Sequence, residues 1–270
     1  MCRVFGCVSA EPASIRHELV EAENPLIRQS EAHDSGWGMA VYERADGLDP
    51  VLLRFPEAAY GDREFMGATN KRGRIFNVHV RRATMGGLAP ANTHPFCLGS
   101  YSFCHNGTIV RYPRLIEEGV EPPQGDTDSE AFFNFLMAHY DASDPVGSLR
   151  YAIRTTVECS PFSGLNFLFS DGDRLFAYRL GLFALHWLHP PGQLVVASEK
   201  VTDEGWHTVQ QDVLLVLDPD DLEEPHAERL IGDELLQEAD IRKVDTSPHL
   251  RGEARGQVAA ERARAAVAHE

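Results

Sequence analysis

The chain turns apolar almost as soon as it begins: residues 3–8 read Arg-Val-Phe-Gly-Cys-Val, a run suited to a buried strand. First residues normally fray unless tied down, so a strand here requires the rest of the fold to hold the N-terminus in place. A chain of 270 residues can do this without disulfides or metal. Folding at this size buries roughly three quarters of the surface that the unfolded chain exposes. The length suits one large domain or two small ones.

Further along, residues 14–22 have helical spacing, and residues 37–43 and 51–55 read as strands separated by the turn-forming pair Asp46-Gly47. Residues 74–81 and 98–104 are two more predicted strands. Between them, residues 83–96 hold two Gly and two Pro without periodicity, a long loop of the kind in which function concentrates. Asp126-Thr127-Asp128-Ser129-Glu130 is a capping sequence ahead of the apolar positions Phe132, Phe133, Phe135, Leu136 and Tyr140, so a helix follows it. Residues 146–158 suit a second helix beside it. From Leu165 the period changes to two, over 165–169, 175–179, 183–188 and 194–197 with a turn at Asp171-Gly172, which predicts an antiparallel meander. Strands, then helices, then strands predict two sheets with helices outside them. From about Asp218 the composition turns acidic and then rich in Ala, Arg and Glu. Residues 1–217 are therefore assigned to the domain and 218–270 to a peripheral C-terminal tail, helical over 256–269.

Charge narrows the choice of partner. The 41 Asp and Glu outnumber the 25 Lys and Arg, for a net charge of −16, which disfavours nucleic acid and anionic membrane. No stretch approaches the roughly 18 apolar residues of a membrane span. The start lacks the charged, apolar and cleavage regions of a signal peptide, so the expected location is cytoplasmic. Five cysteines, at 2, 7, 97, 104 and 159, form an odd set that suits no disulfide framework.

Cys2 is the first candidate for chemistry. Removal of Met1 ahead of a small side chain would leave Cys2 as the first residue, with a free α-amine beside its thiol. An amine titrating near ~7.7–8.0 can take the proton of a thiol near ~8.5, so one residue supplies nucleophile and base. The plainer reading is a small, buried-type residue at position two. His105-Asn106-Gly107 also reads in two ways. Asn-Gly is a strong hairpin-turn signal, the plainer reading and the one the dipeptide alone favours; the chemical reading is an oxyanion hole built from the Asn106 amide and the Gly107 N–H. Arg81 could present its fork to a carboxylate and Asp128 could accept from an ammonium, together holding an α-amino-acid head group. Their plainer readings are a solvated strand end and a helix cap.

Taken in order, the segments Met1-Cys2-Arg3, Asp34-Ser35-Gly36-Trp37-Gly38, His79-Val80-Arg81-Arg82-Ala83-Thr84, Asn92-Thr93-His94-Pro95-Phe96, His105-Asn106-Gly107 and Thr127-Asp128-Ser129-Glu130 form a specific combination. Over roughly residues 2–210 the chain resembles the class II glutamine amidotransferases, which are N-terminal-nucleophile hydrolases, and within them the short stand-alone branch of YafJ-like proteins and γ-glutamyl hydrolases. The resemblance implies an α+β fold, the four-layer αββα sandwich. It also implies a reaction in which Cys2 attacks the γ-carboxamide of glutamine or a γ-glutamyl amide and forms a γ-glutamyl thioester. Asn106 and Gly107 would hold the oxyanion, Arg81 the substrate α-carboxylate and Asp128 its α-ammonium, with His105 and Thr84 in support. Met85 stands where the sugar-linked branch has a histidine, and Ser35 interrupts the usual Asp-Gly-Trp-Gly.

No cofactor or metal is implied. The expected partner is the small-molecule substrate, with a separate synthase subunit as an ammonia acceptor in the alternative of a glutaminase subunit. Two readings of other classes stand beside these. One is a metal-binding structural module using Cys2, Cys7, Cys97, Cys104 and His105, whose ligand types suit zinc although the spacings are not the usual close pairs. The other is a non-catalytic relative that binds an amino acid. Oligomeric state is not legible in the sequence.

Overall fold

The apolar run at the chain start is strand β1, Arg3–Ala13, and it lies inside a sheet with a neighbour on each side. The computed structural model describes residues 2–244. After β1 and a π-helical turn at His17–Glu21 come α1 (Leu26–Gln29), β2 (Trp37–Tyr42), β3 (Val51–Phe55), α2 (Arg63–Ala68) and β4 (Gly73–Val80). Next are β5 (Phe96–Leu98), β6 (Tyr101–Ile109), α3 (Asp128–Ala138) and α4 (Pro145–Cys159). The chain continues through β7 (Phe162–Ser170), β8 (Leu175–Arg179), β9 (His186–Leu188), β10 (Gln193–Ala197) and β11 (His207–Thr208). It ends its described part with β12 (Val213–Asp218), β13 (Asp221–Arg229) and α5 (Gly232–Glu238).

Two antiparallel sheets result, a seven-stranded one in the order β11-β9-β10-β1-β4-β2-β3 and a six-stranded one in the order β13-β12-β8-β7-β6-β5. Alternation along β1 shows how they stack. Phe5 and Cys7 pack with Leu19, Leu26, Phe65 and Trp37 under the small helices, whereas Val4 and Val8 pack with Cys104, Leu168 and Leu175 from the other sheet. The outer face of the second sheet, carrying Phe103, Phe167 and Phe169, is covered by Phe132, Leu136 and Ile153 of α3 and α4. The layers are thus helix, sheet, sheet, helix. Gly6 sets the spacing at the centre, because a Cβ there would lie 2.6 Å from Leu175 Cδ2. Asn77 ties the sheets across their interior, its Nδ2 donating to Ser102 Oγ at 3.2 Å and to the Leu168 carbonyl at 3.3 Å.

Three local expectations change. Residues 98–104 are not one strand: the chain turns at Gly99-Ser100, so β5 ends at Leu98 and β6 begins at Tyr101. The strands after Leu165 are not one meander, since β7 and β8 belong to the second sheet while β9 and β10 cross to the first. A two-residue period reports a strand, and in a sandwich whose sheets are both covered it does not say to which sheet the strand belongs. Residues 14–22 form only the π-helical turn at His17–Glu21. At the other end, β13 pairs with β12, so the second sheet extends beyond residue 217. The stretch expected to be helical over 256–269 lies outside the described residues.

Candidate active site

Strand register brings the candidate residues together. β1 and β4 pair with Arg3 opposite Val80. The residue before β1 therefore meets the residues after β4, and the half-buried Cys2 donates its Sγ hydrogen to the Arg82 carbonyl at 3.6 Å. A thiol that donates is a neutral thiol. Burial pushes the Cys2 thiol up, and the nearby Arg81 guanidinium pulls it the other way. The side chain needs a base to become a nucleophile.

The Asn-Gly pair is not a hairpin turn. It lies inside β6, where Asn106 pairs with Asn166 and Gly107 with Leu165 of β7. Glycine is needed at 107 because a Cβ would fall 1.8 Å from the Gly164 carbonyl oxygen. Asn106 is buried and its Oδ1 has no hydrogen-bond partner. His105, next to it, points to the opposite side of the strand and is fully engaged. Its Nε2 donates to the Gly164 carbonyl at 3.0 Å, which leaves Nδ1 to accept from Ser129 Oγ at 2.9 Å. Burial lowers its pKa to about 4, so the ring is a neutral brace between β6, β7 and α3.

Arg81 is buried and held by main-chain carbonyls. Its two terminal nitrogens donate to Met85 O at 2.7 Å, Gly87 O at 2.9 Å, and Ser35 O and Gly86 O at 3.4 Å each. The loop expected over 83–96 is thereby wrapped on the guanidinium. Asn92 fixes the same loop, donating to Gly87 O at 3.1 Å and accepting from Asp126 N at 2.8 Å. Thr127, not Asp128, caps α3, accepting from Glu130 N at 3.2 Å. Asp128 reaches back to β6 and accepts from Ile109 N at 2.8 Å. Burial raises its carboxyl to about 6, with the Ile109 N–H and the Arg81 charge opposing that rise.

Cys2, Arg81, Thr84, His105, Gly107 and Asp128 line one cleft, and Asn106 lies next to Gly107 in the same strand. Thr84 Oγ1 is 3.3 Å from Thr108 Oγ1. The cleft wall also contains Arg82, Met85, His94, Thr127 and Ser129, to which the sequence assigned no role. Ser129 could have been found from its position one residue after Asp128. His94 sits inside a quoted motif, but nothing local tells that it stacks on His79 at 4.1 Å. Both of those rings are buried, and burial lowers His79 to about 3 and His94 well below the usual histidine range, so both are neutral.

The cysteines do not converge. Cys7 faces the helix-covered side of its sheet, Cys104 faces the interior between the sheets, and both His105 nitrogens are engaged. Among the described residues no group of three or more His, Cys, Asp or Glu could hold a metal. The zinc-module reading is thereby set aside. No helix among the described residues is long and apolar enough to cross a membrane.

Two stacked antiparallel sheets between helical layers, with the chain start led into a cleft at the sheet ends, are the architecture of the N-terminal-nucleophile hydrolases. A solved class-II glutamine aminotransferase domain protein from Silicibacter pomeroyi shares this fold, with a TM-score of 0.59 and 20% identity over 86% of this chain and 100% of that one. Residues 1–193 match the family described as glutamine amidotransferases class-II, and the chain belongs to that family. It is 29% identical over 221 residues to the γ-glutamyl-hercynylcysteine sulfoxide hydrolase of Mycolicibacterium smegmatis, spanning 77% of this chain and 92% of the relative. It is also 27% identical over 236 residues to YafJ of Escherichia coli, spanning 80% of this chain and 89% of that protein.

Proposed function

We propose that the protein hydrolyses the γ-amide of glutamine or of a γ-glutamyl amide through a thioester on Cys2. The observation that carries this reading is the meeting of the Cys2 thiol with a buried guanidinium and a buried carboxylate in one cleft. An α-amino acid head group bears the two opposite charges that Arg81 and Asp128 would neutralise, and a γ-amide extends from it toward a nucleophile.

Once Met1 is removed, the Cys2 α-amine takes the thiol proton and sulfur attacks the γ-carbonyl carbon. The oxygen, now anionic, is met by the Asn106 amide and the Gly107 N–H. The amine returns the proton to the leaving nitrogen as the C–N bond breaks. Water then attacks the thioester, giving up a proton to the amine, and glutamate leaves as the thiol re-forms. The substrate carboxylate is a stronger acceptor than a peptide carbonyl, so it replaces the two 3.4 Å contacts of Arg81 with Ser35 and Gly86.

The test is turnover, followed by mass spectrometry, of an equimolar mixture of glutamine and γ-glutamyl amides by protein tagged only at its C-terminus. Glutamate and free amine should appear with wild type and vanish with Cys2→Ala at unchanged melting temperature. Retained turnover in Cys2→Ala sinks the mechanism. Glutamine turnover that appears only when a synthase is added identifies a glutaminase subunit instead.

A further inference from the structure

Arg82 lines the cleft and has no part in the reaction as written. It follows Arg81 directly, just beyond the end of β4, and unlike Arg81 it is exposed. Among the described residues it makes no ion pair and no side-chain hydrogen bond. In a chain with 41 acidic and 25 basic residues, an unmatched arginine at the mouth of a site has many carboxylates it could have paired with.

The charges of the cleft give this a direction. Its lining holds two arginines and one carboxylate, with His94 and His105 neutral. A zwitterionic head group between Arg81 and Asp128 cancels their charges and leaves one positive charge over. Cys2 Sγ meets the Arg82 carbonyl at 3.6 Å, and the neighbouring cation Arg3 is matched by Glu199 at 3.1 Å. Arg82 thus stands beside the sulfur at the mouth of the cleft, where the leaving amine departs.

We infer that Arg82 binds an anionic group on the leaving amine, so that the preferred substrates are γ-glutamyl amides whose amine part carries a carboxylate. The inference rests on the γ-glutamyl hydrolase reading above and names its substrate class. Chemistry is unchanged: the C–N bond breaks, the leaving nitrogen takes the proton relayed from the thiol, and an amino acid departs while Arg82 holds its carboxylate. Glutamine, whose leaving group is ammonia, has nothing for Arg82 to hold.

The experiment compares a γ-glutamyl amino acid with its C-terminal carboxamide, which differ at the charged group alone. Wild type should show a kcat/KM ratio of about tenfold or more in favour of the carboxylate, the size of a charge-assisted hydrogen bond at an open site. Arg82→Gln should bring the ratio to about one, and added salt should lower it in wild type only. Because both substrates meet the same enzyme, a general loss of activity cancels. A wild-type ratio near one, or a ratio that survives Arg82→Gln, overturns the inference while leaving the hydrolase reading intact. Binding of the same pair to Cys2→Ala protein by calorimetry reads the preference without turnover. There, equal affinities overturn the inference, and a carboxylate preference lost in Cys2→Ala/Arg82→Gln supports it even if the thioester chemistry fails.

Discussion

The two halves of the cleft are built on opposite plans. At the proposed reacting end, Cys2 Sγ has a single long contact at 3.6 Å, and among the described residues no hydrogen bond holds the Asn106 side-chain amide. At the proposed recognition end, Arg81 is held by four carbonyls, Asp128 by Ile109 N, and the loop between them by Asn92. The difference is chemical. A nucleophile and an oxyanion donor must bond atoms whose charge changes during the reaction, so permanent partners would compete with the transition state. Groups that receive fixed charges gain from being locked in place beforehand.

This contrast is open to experiment. The largest effect belongs to the reacting end: Asn106→Ala should lower kcat by about a hundred- to thousandfold with little change in KM, the usual result of losing one oxyanion donor. A rise in KM at constant kcat would place Asn106 with recognition instead. At the recognition end the effect should depend on pH. Asp128 must be ionised to meet an ammonium, and burial sets its carboxyl near 6. Below that value the protonated, neutral form dominates, so the acid limb set by the Cys2 amine should steepen by about a further tenfold for each pH unit. In Asp128→Asn this added steepening should disappear while the amine limb stays and KM is high throughout, and steepening that persists would belong to another group. The smallest effect tests the brace: His105→Phe leaves the Gly164 carbonyl and Ser129 hydroxyl without their partner, and should cost about 1–3 kcal/mol of stability. Denaturant unfolding would measure it. A variant of full stability but collapsed kcat would make His105 part of the reacting end.

Much of the fold was legible because the patterns that encode it are local. The strand at the chain start, β4, α3, α4 and the pair β7 and β8 all follow from apolar spacing, a capping sequence and turn residues. Ala83 to Phe96 was legible as a loop from its Gly and Pro. The site was readable only in part. Arg81 and Asp128 stood out as charges at the ends of elements, whereas Arg82, His94 and Ser129 became site residues through neighbours distant in the chain, such as His105 beside Ser129 at 2.9 Å. Asn106-Gly107 misled locally, since the same dipeptide that favours a tight turn here runs through a strand whose partner is Gly164.

By itself the sequence determined which segments are strands and helices, that the N-terminus must be ordered, and which residue types were at hand for acyl transfer. Periodicity, capping and side-chain chemistry act over a few residues and are written in them. Tertiary structure alone decided that β9 and β10 cross to the first sheet, that residue 2 meets residue 82, and that one arginine of an adjacent pair is buried under four carbonyls while the other stands free. Strand register and sheet stacking depend on the summed burial of distant faces, and a one-residue slip in β1 against β4 would turn Cys2 away from the cleft.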